Sequence, residues 1–333
     1  MPHVSVVVPL YQTERYIAEA LGSVLAQTFT DFEVIVVDDD SRDRGPDIAR
    51  GLGDPRIRVV TQRNRGLAGA RNTGIREARG RLIALLDADD RWQPEKLARH
   101  AAQLMCEPSI GVSFSASRFI DDDGAPIGLV QRPSGSVFTA AHIFCRNPVG
   151  NGSAPVIRRE ALEAIAFYDA GLERTCWFDE SFRQSEDIEC WTRIAATTPW
   201  QFGYVDEPLT DYRVNSSGLS ANTEKQLETW QRFRAKVKSY APGLEAAHGK
   251  AAEAYQLRYL ARRAVRGDAA SSRALPMMVK ALALSPRLVL EEPSRTLVTL
   301  AAAVAQRALP PAWFDRCSAA AMNKMTRVSG LRV

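Results

Sequence analysis

The feature that most constrains the fold is an alternation of β-branched runs and helical segments across the first hundred residues. HVSVVVPL reads as a buried strand, followed by a helix over ERYIAEALGSVLAQT whose Ile17, Leu21, Val24 and Leu25 fall near one face. FEVIVVDDDS repeats the design: a β-branched run, polar residues Asp40 and Ser41 able to cap the next helix, then that short helix through PDIARGL. RIRVVTQ is a third strand, GLAGARNTGIREARG a helix of small residues, and RLIALLD a fourth strand. Strands alternating with helices at this spacing imply an α/β fold, a parallel doubly wound sheet with helices on both faces. Ligands of such sheets sit beyond the carboxyl ends of the strands, where Asp38 to Asp40 and Asp87 to Asp90 lie.

From about residue 110 the texture becomes α+β: VSFSASRFID reads as a strand, NPVGNGSAPVIRRE as a loop leading into strand and helix, and FDESFRQSEDIECWTRIA as a loop entering a helix. After the joint YRVNSSGLSAN the chain is Ala-rich, Arg-rich and helical, with prolines at the helix boundaries. This organisation predicts a first domain over residues 1–223, with halves of about 1–110 and 111–223, and a basic helical region over 224–333. The net charge of +4 is polarised: residues 224–333 carry 19 Lys and Arg against 8 Asp and Glu, and the rest carry 24 against 31. The acidic part is where a metal is sought, and the basic part is where an anionic surface is sought. Five widely spaced cysteines without a CxxC pair suggest neither a disulfide framework nor a zinc site. The opening MPHVSVVVPLYQTE lacks a charged leader, and no segment approaches the roughly 20 apolar residues of a membrane span. A cytoplasmic location is expected.

Three clusters carry chemistry. In LIALLDADDRW, three carboxylates within four residues repel one another, so a fold keeps them ionised and close only beside a compensating cation. Oxygen ligands without His or Cys favour Mg²⁺ or Mn²⁺, which typically keeps some positions for water and substrate phosphates; a diphosphate completes such a site. Asp89 and Asp90 could instead cap the helix WQPEKLARHAAQL, but capping explains one carboxylate, not three. The second acidic turn, VVDDDS, could accept from a base N–H or ribose hydroxyls, with Arg71 adding a donor, and an N-cap at Asp40 or Ser41 fits it as well. In SEDIECW, Glu186 and Asp187 stand at a helix start, where the dipole favours ionised carboxylates; an ionised Asp there could be a general base, although helix-start acids commonly serve stability alone.

Together and in this order, these pieces resemble the family 2 glycosyltransferases over roughly residues 3 to 215. LLDADD is similar to their metal-binding DxD motif, GLAGARNTGI to the nucleotide-side helix, and SEDIECW to the ED motif containing the catalytic base. The resemblance implies a GT-A fold, a Rossmann-like doubly wound mixed sheet with a C-terminal helical subdomain here, and inversion at the anomeric carbon. It implies that Pro9, Tyr11 and Glu14 line the nucleotide, that Asp39 reads the base with Arg71 beside it, and that Asp87, Asp89 and Asp90 hold the ribose and the cation. It further implies that Asp187 deprotonates the acceptor hydroxyl, Glu186 orients the acceptor and Trp191 lines its side, while Asn151 and Gly152 in GNGSAP pass under the transferred sugar. A UDP-linked donor is expected by resemblance alone.

Two positions depart from the pattern. Asp40 stands where Gly or Asn is usual, and Asp tolerates turn conformations. Asn215 stands where His often follows YR, and Asn is a weak ligand for a hard cation or phosphate. A nucleotidyltransferase would show a glycine-rich basic loop near the N-terminus, which VVVPLYQTE lacks, and a non-catalytic sugar-nucleotide binder would not need an intact Asp187. The basic stretches RFRAKVK and RYLARRAVR fit anionic lipid headgroups and a lipid-linked glycan acceptor at the cytoplasmic face of the inner membrane, or else a solvated helical surface. They lack the interleaved aromatics of a nucleic-acid module.

Overall fold

The computed structural model describes residues 1–214, 223–266, 273–310 and 313–314. Asn215 and Cys317 lie outside them. In chain order the first part comprises β1 (Val4–Leu10), α1 (Ile17–Leu25), β2 (Phe32–Asp39), α2 (Gly45–Gly51), β3 (Ile57–Gln62), α3 (Gly66–Glu77), β4 (Leu82–Leu85), β5 (Arg91–Trp92) and α4 (Lys96–Cys106). It continues with β6 (Ile110–Ile120), β7 (Pro126–Gln131), α5 (Ala140–Arg146), β8 (Pro155–Arg158), α6 (Arg159–Glu163), β9 (Phe167–Asp169), β10 (Arg174–Cys176), α7 (Glu186–Thr197) and β11 (Gln201–Arg213).

The main sheet runs β3-β2-β1-β4-β8-β6-β11-β5, with β7 on β6. The alternation read from the sequence accounts for the parallel set β3-β2-β1-β4. Beyond β4 the sheet is mixed, because β8 runs antiparallel to both β4 and β6, while β6 and β11 are parallel. All seven residues of β1 are buried, and its side chains alternate between two cores. Val6 and Val8 pack with Ile17 and Leu21 of α1 and Leu97 and Leu104 of α4. Val7 packs with Ile75 of α3 and Trp191 and Ile194 of α7. Covering both faces stabilises by roughly 1.5–3 kcal/mol per large aliphatic side chain buried, and it explains why these strands read as unbroken apolar runs. Because β1, β2 and β4 are parallel neighbours, their carboxyl ends share one edge, and that edge carries Tyr11, Asp38 to Asp40 and Asp87.

The later helices are α8 (Thr223–Tyr240), α9 (Pro242–Arg266), α10 (Ala274–Leu284), α11 (Arg287–Glu291) and α12 (Pro293–Ala308). They form a second compact unit together with residues 144–146. The division near 223 expected from composition falls at the end of a stretch outside the described residues. Leu257, Ala281 and Leu288 help to build one apolar cluster of this unit, and Ala261, Met278 and Ala303 another. Two basic residues expected to face outward are instead paired inside it. Arg234 bonds Glu245 and Glu253, and Arg258 bonds Glu292 and Thr296. Among the described residues, no helix is long and apolar enough to cross a membrane.

Candidate active site

The site is organised by α3. Its Arg71 is fully buried and donates through Nη2 to Asp87 Oδ1 at 2.7 Å and through Nη1 to Glu186 Oε1 at 2.8 Å. The next residue, Asn72, accepts from the backbone N–H groups of Trp177 and Phe178 and donates to the Phe178 carbonyl and to Glu180. One turn of helix therefore fixes both the tip of β4 and the loop that delivers α7. Small residues make this possible: a Cβ on Gly74 would lie 2.1 Å from Val7 Cγ1, so α3 approaches the sheet more closely than any side chain there would allow.

Glu186 and Asp187 begin α7, as SEDIECW predicts, directly after Ser185 in the left-handed region at φ 64°. Burial pushes the Glu186 carboxyl up to about 7, with Arg71 pulling it down and Asp187 adding to the rise. Burial also raises Asp187 above the usual carboxylate range, again opposed by Arg71. Arg71 is thus the cation that lets both acids of α7 ionise in a desolvated place.

The three carboxylates of LIALLDADD have different fates. Asp90 is fully buried, its Oδ1 accepting from the Arg213 N–H and its Oδ2 from the Ser153 hydroxyl. Burial and the neighbouring Asp89 and Asp87 push it well above the usual range. The expected three-carboxylate socket is therefore not what the geometry offers: Asp90 is an anchor, because protein donors occupy both of its oxygens. Asp87 takes Arg71 on Oδ1. Asp89 meets no other side chain through a hydrogen bond among the described residues; burial followed by the proximity of Asp87 pushes it up to about 6, opposed by its own backbone N–H and by Arg213. A half-buried carboxylate next to a second one has the oxygen chemistry that suits a hard divalent cation, which Asp87 and Asp89 could hold. Nor do Asp89 and Asp90 cap a helix, since α4 begins at Lys96 after Glu95 with no side-chain cap.

The loop beneath is a further hub. Ser153 accepts from the Asp87 N–H through its hydroxyl, and its carbonyl accepts from Trp92 Nε1. Asn151 donates to Ser117 and accepts from the Ser153 N–H. A Cβ on Gly152 would lie 2.0 Å from Arg71 Nη2 and 2.9 Å from Asp87 Oδ2, which explains the glycine. Arg213 closes the arrangement: besides its N–H to Asp90, its side chain bonds the carbonyls of Asp89, Asp121 and Asp122 and the carboxylate of Glu19. Ser153, Asn72 and Arg213 were not singled out from the sequence, although each lies inside a stretch that was quoted.

At the nucleotide-side edge, Pro9 is buried within β1 opposite Val37, and Tyr11 is exposed just beyond it. Glu14 accepts from the Arg44 N–H, tying the β1 loop to the β2 loop. Asp39 is buried and accepts from Gln62 and from the N–H groups of Arg65 and Gly66 at the start of α3. Arg71, expected beside it, spends its hydrogen bonds on Asp87 and Glu186 and not on Asp39. Asp40 adopts φ 66°, the left-handed conformation its substitution for Gly or Asn requires. The N-cap expected at Asp40 or Ser41 does not form, because α2 starts only at Gly45, whose N–H bonds Asp43. Trp191 is also corrected: it is fully buried in the core, edge-to-face with Phe178 at 5.9 Å, and supports α7 from below instead of lining an acceptor groove.

The doubly wound mixed sheet, with acids at its carboxyl edge and at the start of an incoming helix, is the arrangement expected of a glycosyltransferase of GT-A architecture. The chain belongs to glycosyl transferase family 2, whose family model matches residues 5–166. It is 30% identical over 238 residues to the putative teichuronic acid biosynthesis glycosyltransferase TuaG of Bacillus subtilis, covering 70% of this chain and 88% of that one. It is 29% identical over 231 residues to the Escherichia coli UDP-Glc:alpha-D-GlcNAc-diphosphoundecaprenol beta-1,3-glucosyltransferase WfgD, covering 68% of this chain and 82% of that one. In fold it matches the mannosyltransferase PcManGT from Pyrobaculum calidifontis, solved with GDP-Man and Mn²⁺, at a TM-score of 0.58 and 24% identity, covering 92% of this chain and 86% of that one.

Proposed function

We propose that this glycosyltransferase is an inverting, metal-dependent enzyme of cell-surface polysaccharide biosynthesis, transferring a sugar from a UDP-linked donor to a hydroxyl of a lipid-linked glycan at the cytoplasmic face of the membrane. The observation that carries the reading is the bridge Asp87–Arg71–Glu186, which holds the leaving-group carboxylates and the base-bearing helix in one rigid array. The polysaccharide context, UDP and the diphosphate-lipid acceptor are supported by the names of TuaG and WfgD. The metal is supported by the open carboxylate of Asp89 beside Asp87, and by the Mn²⁺ in the mannosyltransferase.

Asp187, at the positive end of α7, takes the proton of the acceptor hydroxyl. The bond from that oxygen to the anomeric carbon forms as the bond to the diphosphate breaks, on the opposite face, so the product is inverted and no second carboxylate acts as nucleophile. Arg71 favours the ionised forms of Asp187 and Glu186 against their burial, and Glu186, fixed by Arg71, orients the acceptor. Asp87 and Asp89 would hold a divalent cation, which would supply charge neutralisation for the diphosphate. Tyr11, Glu14 and Asp39 border the nucleotide, and Asn151 and Gly152 form the floor under the transferred sugar.

The test is Asp187→Asn, which should abolish transfer while leaving donor binding intact; full activity in that variant sinks the assignment. Hydrolysis of a panel of nucleotide sugars by the wild-type enzyme identifies the donor. No turnover of any UDP-sugar would refute the UDP assignment.

A further inference from the structure

Helix α12 is built inside out. The residues that face its own unit are Thr296, Thr299, Ala303 and Gln306, with Leu300 partly buried against the same cluster, while Leu297, Val298, Ala301, Val304 and Leu309 face outward. The orientation is well satisfied on the inside. Thr296 donates to the Leu288 carbonyl and accepts from Arg258, Thr299 donates to the Arg295 carbonyl, and Gln306 donates to the Ala264 carbonyl. Leu297, Val298 and Val304 remain 52%, 59% and 46% exposed, and a shallow apolar groove runs along the helix from Leu297 to Leu309. A second groove runs between Pro276 and Val279 of α10 and Arg307 of α12. Apolar surface of this extent outside, with hydrogen-bonded polar groups inside, marks a face that something covers.

The charges around it identify the cover. Glu245, Glu253, Glu291 and Glu292 all pair with cations of their own unit. Arg287 and Arg307 have no carboxylate partner among the described residues, in a region carrying 19 Lys and Arg against 8 Asp and Glu. Of the two charged side chains that line the grooves, Lys280 is paired with Glu253 and Arg307 is left over, and Trp313, 66% exposed, comes shortly after Leu309. An outward apolar stripe with an unpaired arginine in its groove, and a tryptophan close by in the sequence, suits the headgroup boundary of an anionic bilayer. We infer that the α10–α12 face docks onto an anionic lipid surface. The basic clusters of α8 and α9, the sequence candidates for that role, have Arg234 and Arg258 committed internally. The inference rests on the lipid-linked acceptor of the proposed function, and it names the surface through which the enzyme reaches it.

The experiment is flotation of the full-length protein with vesicles of phosphatidylcholine alone or mixed with phosphatidylglycerol. The wild type should float with the mixed vesicles and not with the neutral ones. The double variant L297E/V304E, altered only at exposed positions, should lose flotation at least about tenfold with unchanged circular dichroism. V279E on α10 provides an independent arm with the same expectation if the double variant misfolds. Equal flotation of the variants and wild type overturns the inference, as does wild-type binding indifferent to lipid charge. Dissociation of a wild-type oligomer by L297E/V304E, without any wild-type flotation, assigns the face to a second copy and equally overturns it. Donor hydrolysis in solution should be the same in L297E/V304E and wild type. Loss of hydrolysis in the wild type itself would instead refute the proposed chemistry and leave the flotation result standing.

Discussion

Arg71 and Gly152 share one boundary: a Cβ at 152 would lie 2.0 Å from Arg71 Nη2, and that nitrogen is already bonded to Asp87. The guanidinium cannot swing aside, because its other nitrogen holds Glu186. Gly152→Ala should therefore displace Arg71 or lift the loop, at an overpacking cost of about 1–3 kcal/mol. Misplacing both acid stations should also slow transfer by about a hundredfold. Thermal unfolding and steady-state transfer rates check both, and wild-type values in both would show that the loop is softer than its packing indicates.

The three aspartates of LIALLDADD should separate by function. Asp90 is an anchor whose oxygens meet Ser153 and the Arg213 N–H, and burial holds it well above the usual carboxylate range. Asp90→Asn can keep one acceptor and offer an amide to Ser153, so transfer should fall by less than about tenfold with metal affinity unchanged. Asp89→Asn removes an open ligand and should cost a hundredfold or more, roughly, with a matching rise in the Mn²⁺ concentration needed. Metal titrations of the two variants decide the point. Equal metal weakening in both would return Asp90 to the ligand set.

These contrasts show what the sequence could and could not reveal. The strand tips were legible because period and composition place Asp87 to Asp90 and Asp38 to Asp40 at carboxyl ends whichever partners they find. Asp40 was legible as a turn residue for the same local reason, and its φ of 66° agrees. Partner choice was not legible. Asp87 and Glu186 are joined by Arg71, 16 and 115 residues away along the chain, and nothing local to GLAGARNTGI says that its arginine faces the acids instead of the nucleotide. Trp191 failed similarly: an aromatic on an amphipathic helix suits a binding face or a core equally, and only packing against Phe178 decides. The antiparallel β8 escaped because PVIR is too short to announce its direction.

Arg71 should also set the acid limb of the pH–rate profile. Burial raises Glu186 and Asp187, and Arg71 opposes both rises by favouring their ionised forms. Lysine keeps a charge but cannot bridge two carboxylates, so in Arg71→Lys both acids should titrate higher than in the wild type. Since the base must be ionised to act, transfer at neutral pH should fall by about tenfold and recover as pH rises. A profile of kcat from acid to alkaline pH checks this, and a reduced rate with an unmoved acid limb would confine Arg71 to packing.

His100 gives a stability prediction of known sign. It is fully buried on α4, with Nδ1 2.7 Å from the Ser113 hydroxyl and Nε2 3.4 Å from Lys96 Nζ, and burial first, then Lys96, hold it well below its ordinary 6.5. The unfolded chain accepts a proton there that the folded chain refuses, so this contribution is complete above about pH 6.5 and is lost as the pH falls below it. The raised carboxylates Asp89, Asp90, Glu186 and Asp187 act oppositely, because the folded state holds their protons more tightly, which makes the bare wild-type slope a poor readout. The difference between wild type and His100→Gln cancels them. Between pH 6.5 and 5, urea unfolding should show the wild type losing more stability than the variant. Parallel losses would mean that the folded state protonates His100 freely, against its burial beside Lys96.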